Sequence, residues 1–456
     1  MTSINPHIFR ANDIRGVVDR DLNPDIAEIL GKGFGTYVRR KGGSTVYCGR
    51  DNRKTSSAYQ SAFQKGMAST GCDIFDVGMV TTPVVYFALR QLQGHAAAMI
   101  TGSHNPPTMN GFKFCYGDKS LAGAAIQEIK AIIDSENFEI GEGSVRVNNA
   151  TDAYLEYLQK QFSFSKRWKV VIDAGNSIPG KINLQGLIQL GINVVPLYCD
   201  LDPNFPHHFP DPVLPENLKD LITHVHQYQA DLGIGYDGDG DRIGVVDDKG
   251  IIRWGDQLMI LFARDVLKDN PGAKILCEVK CSQSLVEDVE AHGGVPIMCA
   301  TGHSIIEEAL IKEGALLAGE MSGHLFFKDR YFGYDDALYA TLRLLEYLEK
   351  EGKPASELFA SIPQYVASPE IRVACSDDKK FEVVAKVKQD FKDQGYDMIE
   401  IDGARVLFDN GWGLLRASQT EPKLILRFEG KTKEAMEMIR SVFAETIKRV
   451  ASIDIL

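Results

Sequence analysis

Long hydrophobic runs are missing from this 456-residue chain. No stretch approaches about 18 consecutive apolar residues, so no membrane-spanning helix is expected. Basic residues are in deficit: 50 Lys and Arg stand against 62 Asp and Glu, a formal charge of −12. The chain therefore lacks the cationic surface that non-specific nucleic-acid or anionic-membrane binding needs, and neither partner is expected. A pocket can still be basic on an acidic protein, so a phosphorylated small molecule stays open. The eight cysteines include no CxxC pair and no metal-finger spacing. That pattern fits buried, reduced thiols rather than a disulfide framework or a zinc site. Met1 to Gly16 holds no apolar stretch followed by a small-residue cleavage site, so no signal peptide is expected and the location is read as cytoplasmic.

What is present is a triple repeat. Strand-like runs at 45–51, 169–176 and 274–281 each lead into a stretch with helical spacing, at 59–70, 184–190 and 284–292. Each such stretch stops at glycine and enters a second apolar run, at 71–78, 191–198 and 293–301. A third run closes each unit, at 96–101, 230–236 and 314–319. Continuous apolar strands alternating with helices predict mixed, mostly parallel sheets covered on both faces. The remainder reads as an α+β unit with an antiparallel sheet and a hairpin turning at Asp409-Asn410-Gly411. The expected units are 1–149, 150–251, 252–366 and 367–456. The fold class is α/β, three repeated domains plus a C-terminal α+β domain around a central cleft.

Ligands of such sheets sit outside the carboxyl ends of strands. There the third strand of each unit ends in a chemically rich loop: Thr101-Gly102-Ser103-His104-Asn105-Pro106, Asp237-Gly238-Asp239-Gly240-Asp241-Arg242, and Glu320-Met321-Ser322-Gly323-His324. Asp237, Asp239 and Asp241 alternate with glycines, so in an extended segment their carboxylates converge. Oxygen-only ligands of that kind favour a hard cation such as Mg²⁺ over a solvated acidic turn. Gly233-Ile234-Gly235-Tyr236-Asp237-Gly238 matches a dinucleotide fingerprint, but a strand rather than a helix is expected to follow, which excludes it. The same loop fails as a calcium hand, because its sixth position is Arg242 and its twelfth is Asp248.

Ser103 is displayed between Gly102 and the Pro106-Pro107 pair, which is expected to hold the loop extended. Such a serine is either a nucleophile or phosphate carrier, or a residue capping a turn. Arg416, Ser418 and Thr420 form either a phosphate cradle or an ordinary hairpin flank. Further candidate cations are Arg10, Arg15, Lys113, Arg242 and Lys280, and His303 and His324 lie at strand ends.

Together these loops resemble the α-D-phosphohexomutase superfamily, in particular its bacterial phosphomannomutase/phosphoglucomutase members. The resemblance runs from Phe9-Arg10-Ala11-Asn12-Asp13-Ile14-Arg15-Gly16 to Arg416-Ala417-Ser418-Gln419-Thr420-Glu421-Pro422. It implies four domains around one cleft and reversible phosphoryl transfer between hexose 1-phosphate and hexose 6-phosphate, with mannose or glucose as the sugar. Phosphoserine at Ser103 and a hexose 1,6-bisphosphate intermediate are implied with it. Asp237, Asp239 and Asp241 would bind Mg²⁺ together with a phosphoserine oxygen. Arg242 would neutralise charge, and Lys113, His104 and Arg15 are the candidates for proton transfer. Glu320, Ser322 and His324 look like the sugar-binding loop, with Arg10, Lys280 and His303 also facing substrate. Arg416, Ser418, Gln419 and Thr420 look like the loop for the non-reacting phosphate. The chain departs from the family pattern at Gln419, where asparagine is usual, and at Asn12, where tyrosine is frequent. Phosphoglucosamine mutase is the alternative within this class. A serine hydrolase and a non-enzymatic phosphosugar-binding protein are the alternatives outside it. The oligomeric state is left open, with a monomer as one option.

Overall fold

The computed structural model describes residues 4–418, 422–451 and 453. Four sheets follow one another along the chain. The first holds β1 (Ile14–Val17), β2 (Thr45–Arg50), β3 (Asp73–Met79), β4 (Ala96–Ile100), β5 (Met109–Tyr116), β6 (Lys119–Ser120) and β7 (Val145–Val147), ordered β1-β5-β4-β2-β3-β7 with β6 on β5. The second holds β8 (Lys169–Asp173), β9 (Asn193–Leu197), β10 (Leu232–Tyr236), β11 (Ile243–Asp247) and β12 (Ile252–Arg253), ordered β12-β11-β10-β8-β9. The third holds β13 (Lys274–Glu278), β14 (Val295–Cys299), β15 (Leu317–Gly319) and β16 (Leu325–Phe327), ordered β14-β13-β15-β16. The fourth holds β17 (Val366–Ala367), β18 (Ile371–Ala374), β19 (Met398–Ile399), β20 (Ala404–Phe408), β21 (Gly411–Ala417) and β22 (Lys423–Gly430).

The three repeats share one wiring. In each, the first strand is parallel to the second and third strands on either side: β2 between β3 and β4, β8 between β9 and β10, β13 between β14 and β15. Helices Ser56–Ala68, Pro179–Gln189 and Gln283–Ala291 carry the first crossovers. The first two start several residues ahead of the expected 59 and 184. Their opening turns are polar or begin at Pro179, which apolar spacing does not register and a helix start tolerates. The third strand then folds back on an antiparallel neighbour, β4 on β5, β10 on β11 and β15 on β16. The strand β11 after the Asp loop is what rules out the dinucleotide fingerprint.

Two loop conformations differ from the sequence expectation. The serine loop is folded, not extended: Asn105 N–H donates to Gly102 O and Met109 N–H to Pro106 O, both at 3.0 Å, and Ser103 sits at φ +49°. The Asp loop is a turn as well. Asp237 Oδ1 accepts the N–H groups of Gly240, Asp241 and Arg242 at 3.0–3.2 Å, and this curl brings the carboxylates together.

One hydrophobic core runs through the first three units, from Tyr47 and Val84 through Ile172 and Ile234 to Leu317 and Leu345. The fourth sheet has its own core with helices Asp377–Asp393 and Lys433–Ala451. Alternation along β21 puts Leu415 and Ala417 into that core, and Trp412, Leu414 and Arg416 onto the other face. That face meets the third unit: Trp412 and Leu414 pack on Val279, and Arg405 donates to the carbonyls of Val279 and Cys281. The hairpin β20–β21 closes on Asp409 and Asn410, with Gly411 already paired to Phe408. β12 carries the second sheet past the expected break at 251, and β17 opens the fourth at Val366.

Candidate active site

The serine and aspartate loops meet at the boundary of the first and second units. Ser103 is buried, and its Oγ donates to Asp237 Oδ2 at 2.8 Å. The backbones are equally close: a Cβ on Gly238 would lie 2.2 Å from the Ser103 carbonyl oxygen, so only glycine fits there. Because the Ser103 hydroxyl is given to a carboxylate rather than to an imidazole, the serine–histidine relay of a hydrolase is not assembled.

Asp237, Asp239 and Asp241 are fully buried, and ligand oxygens of the three lie within 4.8 Å of one another. Lys113, from β5, donates to Oδ2 of both Asp239, at 2.8 Å, and Asp241. Thr82, at the start of helix Thr82–Gln91, gives its hydroxyl to the same Asp239 oxygen at 2.6 Å. The second oxygens, Asp239 Oδ1 and Asp241 Oδ1, are buried with no hydrogen-bond partner. Burial, reinforced by Asp241 and Asp239, raises Asp237 well above the carboxylate range. Burial also opposes charge on Lys113, yet the surrounding carboxylates outweigh it and the ammonium pKa rises. Two buried oxygens without hydrogen bonds in an overcrowded anionic cluster are what a hard cation relieves, so this oxygen-only donor set fits a metal ion.

His104 and Arg242 share a residue the sequence reading missed. Asp211 Oδ2 lies 3.2 Å from His104 Nδ1, and its Oδ1 lies 3.6 Å from Arg242 Nη1. Burial and Arg242 lower the His104 pKa to about 4. Arg242 Nε also reaches to within 3.5 Å of Asp237 Oδ2. Arg15 sits on β1 beside β5, paired with Asp13.

The third loop joins the same cleft. Ile243 N–H donates to Gly323 O at 3.2 Å, and Gly323, at φ +92°, leaves no room for a Cβ against that strand. Glu320 Oε1 accepts from Gly302 N–H at 3.0 Å, while Oε2 accepts from Ser322 Oγ at 2.6 Å and His324 Nδ1 at 2.9 Å. Burial opposes the Glu320 charge, but His324 and Lys280 prevail and hold the pKa low. His324 Nε2 faces Asp241 Oδ1 at 3.6 Å and Asp335 Oδ2 at 3.8 Å. His303 stacks on His324 with ring centres 5.8 Å apart, and burial lowers its pKa to about 4. Asn12 lies against Gly302, beside this loop.

At the far end, Arg416 Nε donates to Asp402 Oδ2 at 2.9 Å, and the same oxygen accepts Thr301 N–H at 3.2 Å. Asp402 thus ties the fourth unit's arginine to the third unit. Lys280 Nζ lies between Glu278, at 3.5 Å, and Glu370, at 3.4 Å. Ser418 is buried at the end of β21. Gln419 and Thr420 lie outside the described residues. Arg10 N–H donates to Asp13 O at 2.9 Å, just ahead of β1.

The chain matches known proteins along its whole length. The descriptions "Phosphoglucomutase/phosphomannomutase, alpha/beta/alpha" domain I, domain II and domain III fit residues 6–140, 152–250 and 254–365, and the C-terminal domain of the same family fits 370–446. Phosphomannomutase/phosphoglucomutase of Pseudomonas aeruginosa is 43% identical over 445 residues, covering 98% of this chain and 96% of its own. Phosphoglucomutase of Neisseria gonorrhoeae is 42% identical over 452 residues, covering 98% of each chain. The crystal structure of a phosphoglucomutase/phosphomannomutase family protein from Burkholderia thailandensis superposes with a TM-score of 0.94 at 39% identity over 99% of both chains. Four matched domains in one order, converging on one cleft, make this chain a member of the phosphoglucomutase/phosphomannomutase family.

Proposed function

We propose that this chain moves a phosphoryl group between O1 and O6 of mannose and glucose phosphates, with Ser103 as the phosphoryl carrier. The observation that carries the reading is the Ser103 Oγ–Asp237 Oδ2 contact of 2.8 Å inside a buried carboxylate triplet with unpaired oxygens. Phospho-Ser103 passes its group to the free hydroxyl, giving a hexose 1,6-bisphosphate. That intermediate turns around in the cleft, and Ser103 takes back the other phosphoryl group.

Asp237, Asp239, Asp241 and an oxygen of phospho-Ser103 would hold Mg²⁺, which when bound neutralises charge on the transferring group. Lys113 holds Asp239 and Asp241 by one oxygen each, which leaves the other oxygen of each without a hydrogen bond and able to serve as a metal ligand. Arg242 adds positive charge beside Asp237. His104 gives its Nδ1–H to Asp211, the tautomer assigned from its carboxylate partner, and this leaves Nε2 as an acceptor for the hydroxyl proton. Arg15 assists from β1. Glu320, Ser322, His324 and His303 hold the sugar, with Arg10 at the cleft's outer edge. Lys280, Arg416, Ser418, Gln419 and Thr420 hold the distal phosphate.

A single chain supplies every loop, which suits a monomer. The proposed units are 1–149, 150–251, 252–366 and 367–456, with β12 and β17 lying next to two of the breaks. No described helix is long and apolar enough to cross a membrane. The acidic charge is the ground on which a cytoplasmic enzyme with no nucleic-acid partner is proposed. The test is conversion of glucose 1-phosphate to glucose 6-phosphate with Mg²⁺, alongside mass mapping of the phosphorylated residue. Absence of turnover, or phosphate on another residue, overturns the reading.

A further inference from the structure

Behind the serine loop lies a buried arginine that the reaction scheme leaves unused. Arg53 is 4% exposed, and its guanidinium is spread over four carbonyl groups of one loop. Nη2 donates to Ser103 O at 2.6 Å and to Asn105 O at 2.5 Å; Nη1 donates to Pro106 O at 2.7 Å and to Met109 O at 3.1 Å. Nε donates to Asp51 Oδ2 at 3.1 Å. Asp51 in turn accepts from Thr101 Oγ1 at 2.8 Å and Gly102 N–H at 3.2 Å, so both limbs of the loop end on this one pair. A Cβ on Gly102 would fall 2.6 Å from the guanidinium carbon, which shows how closely Arg53 lies against the loop. Its other side rests on Phe205 of the second unit, 5.2 Å from the ring centre.

We infer that Arg53 is a positioning residue for phosphoryl transfer. It touches no substrate. It draws four carbonyl dipoles to the back of the loop, away from the phosphoryl group, and pins Ser103 in a left-handed conformation that serine adopts only under constraint. A planar fork suits this task, because a lysine ammonium has three donors and no fixed plane, and cannot span four carbonyls and a carboxylate. With the loop slack, carbonyl oxygens swing towards the phosphoryl group and the serine leaves its line with Asp237. The contacts to the sugar and the distal phosphate stay as they are. The inference rests on Ser103 being the phosphoryl carrier.

The experiment compares wild type with Arg53→Lys and with Gly102→Ala, which keeps the arginine but displaces it. Thermal melting confirms folding, phosphate is located by mass spectrometry, and phosphoserine is followed by ³¹P NMR. Both variants are expected to carry phosphate on Ser103, to shift its ³¹P resonance, and to lose at least tenfold in kcat while KM for glucose 1-phosphate stays within threefold. If one variant does not fold, the other decides. Wild-type kcat with an unmoved resonance overturns the inference, as does a loss confined to KM. Phosphate on a residue other than Ser103 in the wild type would instead overturn the carrier assignment.

Discussion

Ser103 Oγ and Asp237 Oδ2 lie 2.8 Å apart across 134 positions of sequence. The hydroxyl that would carry phosphate is thus already inside the carboxylate triplet, and the second unit completes the first. Ser103→Ala is expected to remain folded and to lose kcat by about three orders of magnitude or more, because no neighbouring group can hold the phosphoryl between half-reactions. Intact-mass measurement should find phosphate on the wild type and none on the variant. A phosphorylated Ser103→Ala protein would defeat the assignment.

The backbones of the two loops approach each other closely at Gly238. A methyl group there would sit 2.2 Å from the Ser103 carbonyl oxygen, so Gly238→Ala must push the loops apart. A shift of about 1 Å between reacting groups costs on the order of 10²-fold in rate. The expected signature is a large fall in kcat with a modest loss of thermal stability. Full activity in this variant would mean that the loops need not touch.

Asp239 offers Oδ1 unpaired, while Oδ2 is held by Thr82 and Lys113. Asp239→Asn removes one anionic ligand and one of the two carboxylates that hold Lys113. Calorimetry should report weaker Mg²⁺ binding, and kcat should fall more than KM rises, since charge neutralisation matters most where charge develops. An enzyme that works at full rate after exhaustive chelation would remove the metal from the scheme.

The architecture was largely legible because each repeat writes its strands as continuous apolar runs. Helix starts were not, where the opening turn is polar, as at Ser56, or begins at Pro179. Residue type marked the loops as candidates, but only the family resemblance chose between a phosphate carrier and a turn cap at Ser103. The shapes of the loops were not legible: the serine loop folds because Arg53 gathers its carbonyls, and the Asp loop curls because Asp237 accepts three backbone N–H groups. Asp211, Asp335 and Asp402 carried no sequence signal, since each gains its partner only when separate loops or units dock.

Asp336 caps helix Ala337–Glu351 and accepts hydrogen bonds from Tyr154 and Tyr331 in a buried cluster. Burial lifts its carboxyl from the usual 3.8 to about 6. Between those values the folded chain keeps a proton that the unfolded chain has lost. The stability this confers is full below 3.8 and disappears as pH rises through 6. Going from pH 5 to pH 7.5 should therefore cost about 1 kcal/mol through this group. Asp336→Asn does not titrate, so its melting temperature should gain on the wild type over that interval. Parallel melting curves across the range would show that Asp336 is not the proton binder.

The last expectation concerns the sugar. A substrate that presents either phosphate to Ser103 must bind in two orientations, and a half-turn roughly exchanges its 3- and 4-hydroxyls. Glu320 can accept from both only if acceptor sites are open. A carboxylate offers about four such sites, and Gly302, Ser322 and His324 fill three. One site on Oε1 is open, and a second opens on Oε2 when the Ser322 hydroxyl turns away from it. Both sites then serve hydroxyls that glucose and mannose share, and neither reads carbon 2, where the sugars differ. The two 1-phosphates are expected to have kcat/KM within about tenfold, or about 1.4 kcal/mol, of each other. Ser322→Ala removes a hydroxyl that holds the sugar but does not read carbon 2, so it should raise KM for both sugars alike. A thousandfold preference for one sugar in steady-state kinetics would show that another group of the cleft reads carbon 2.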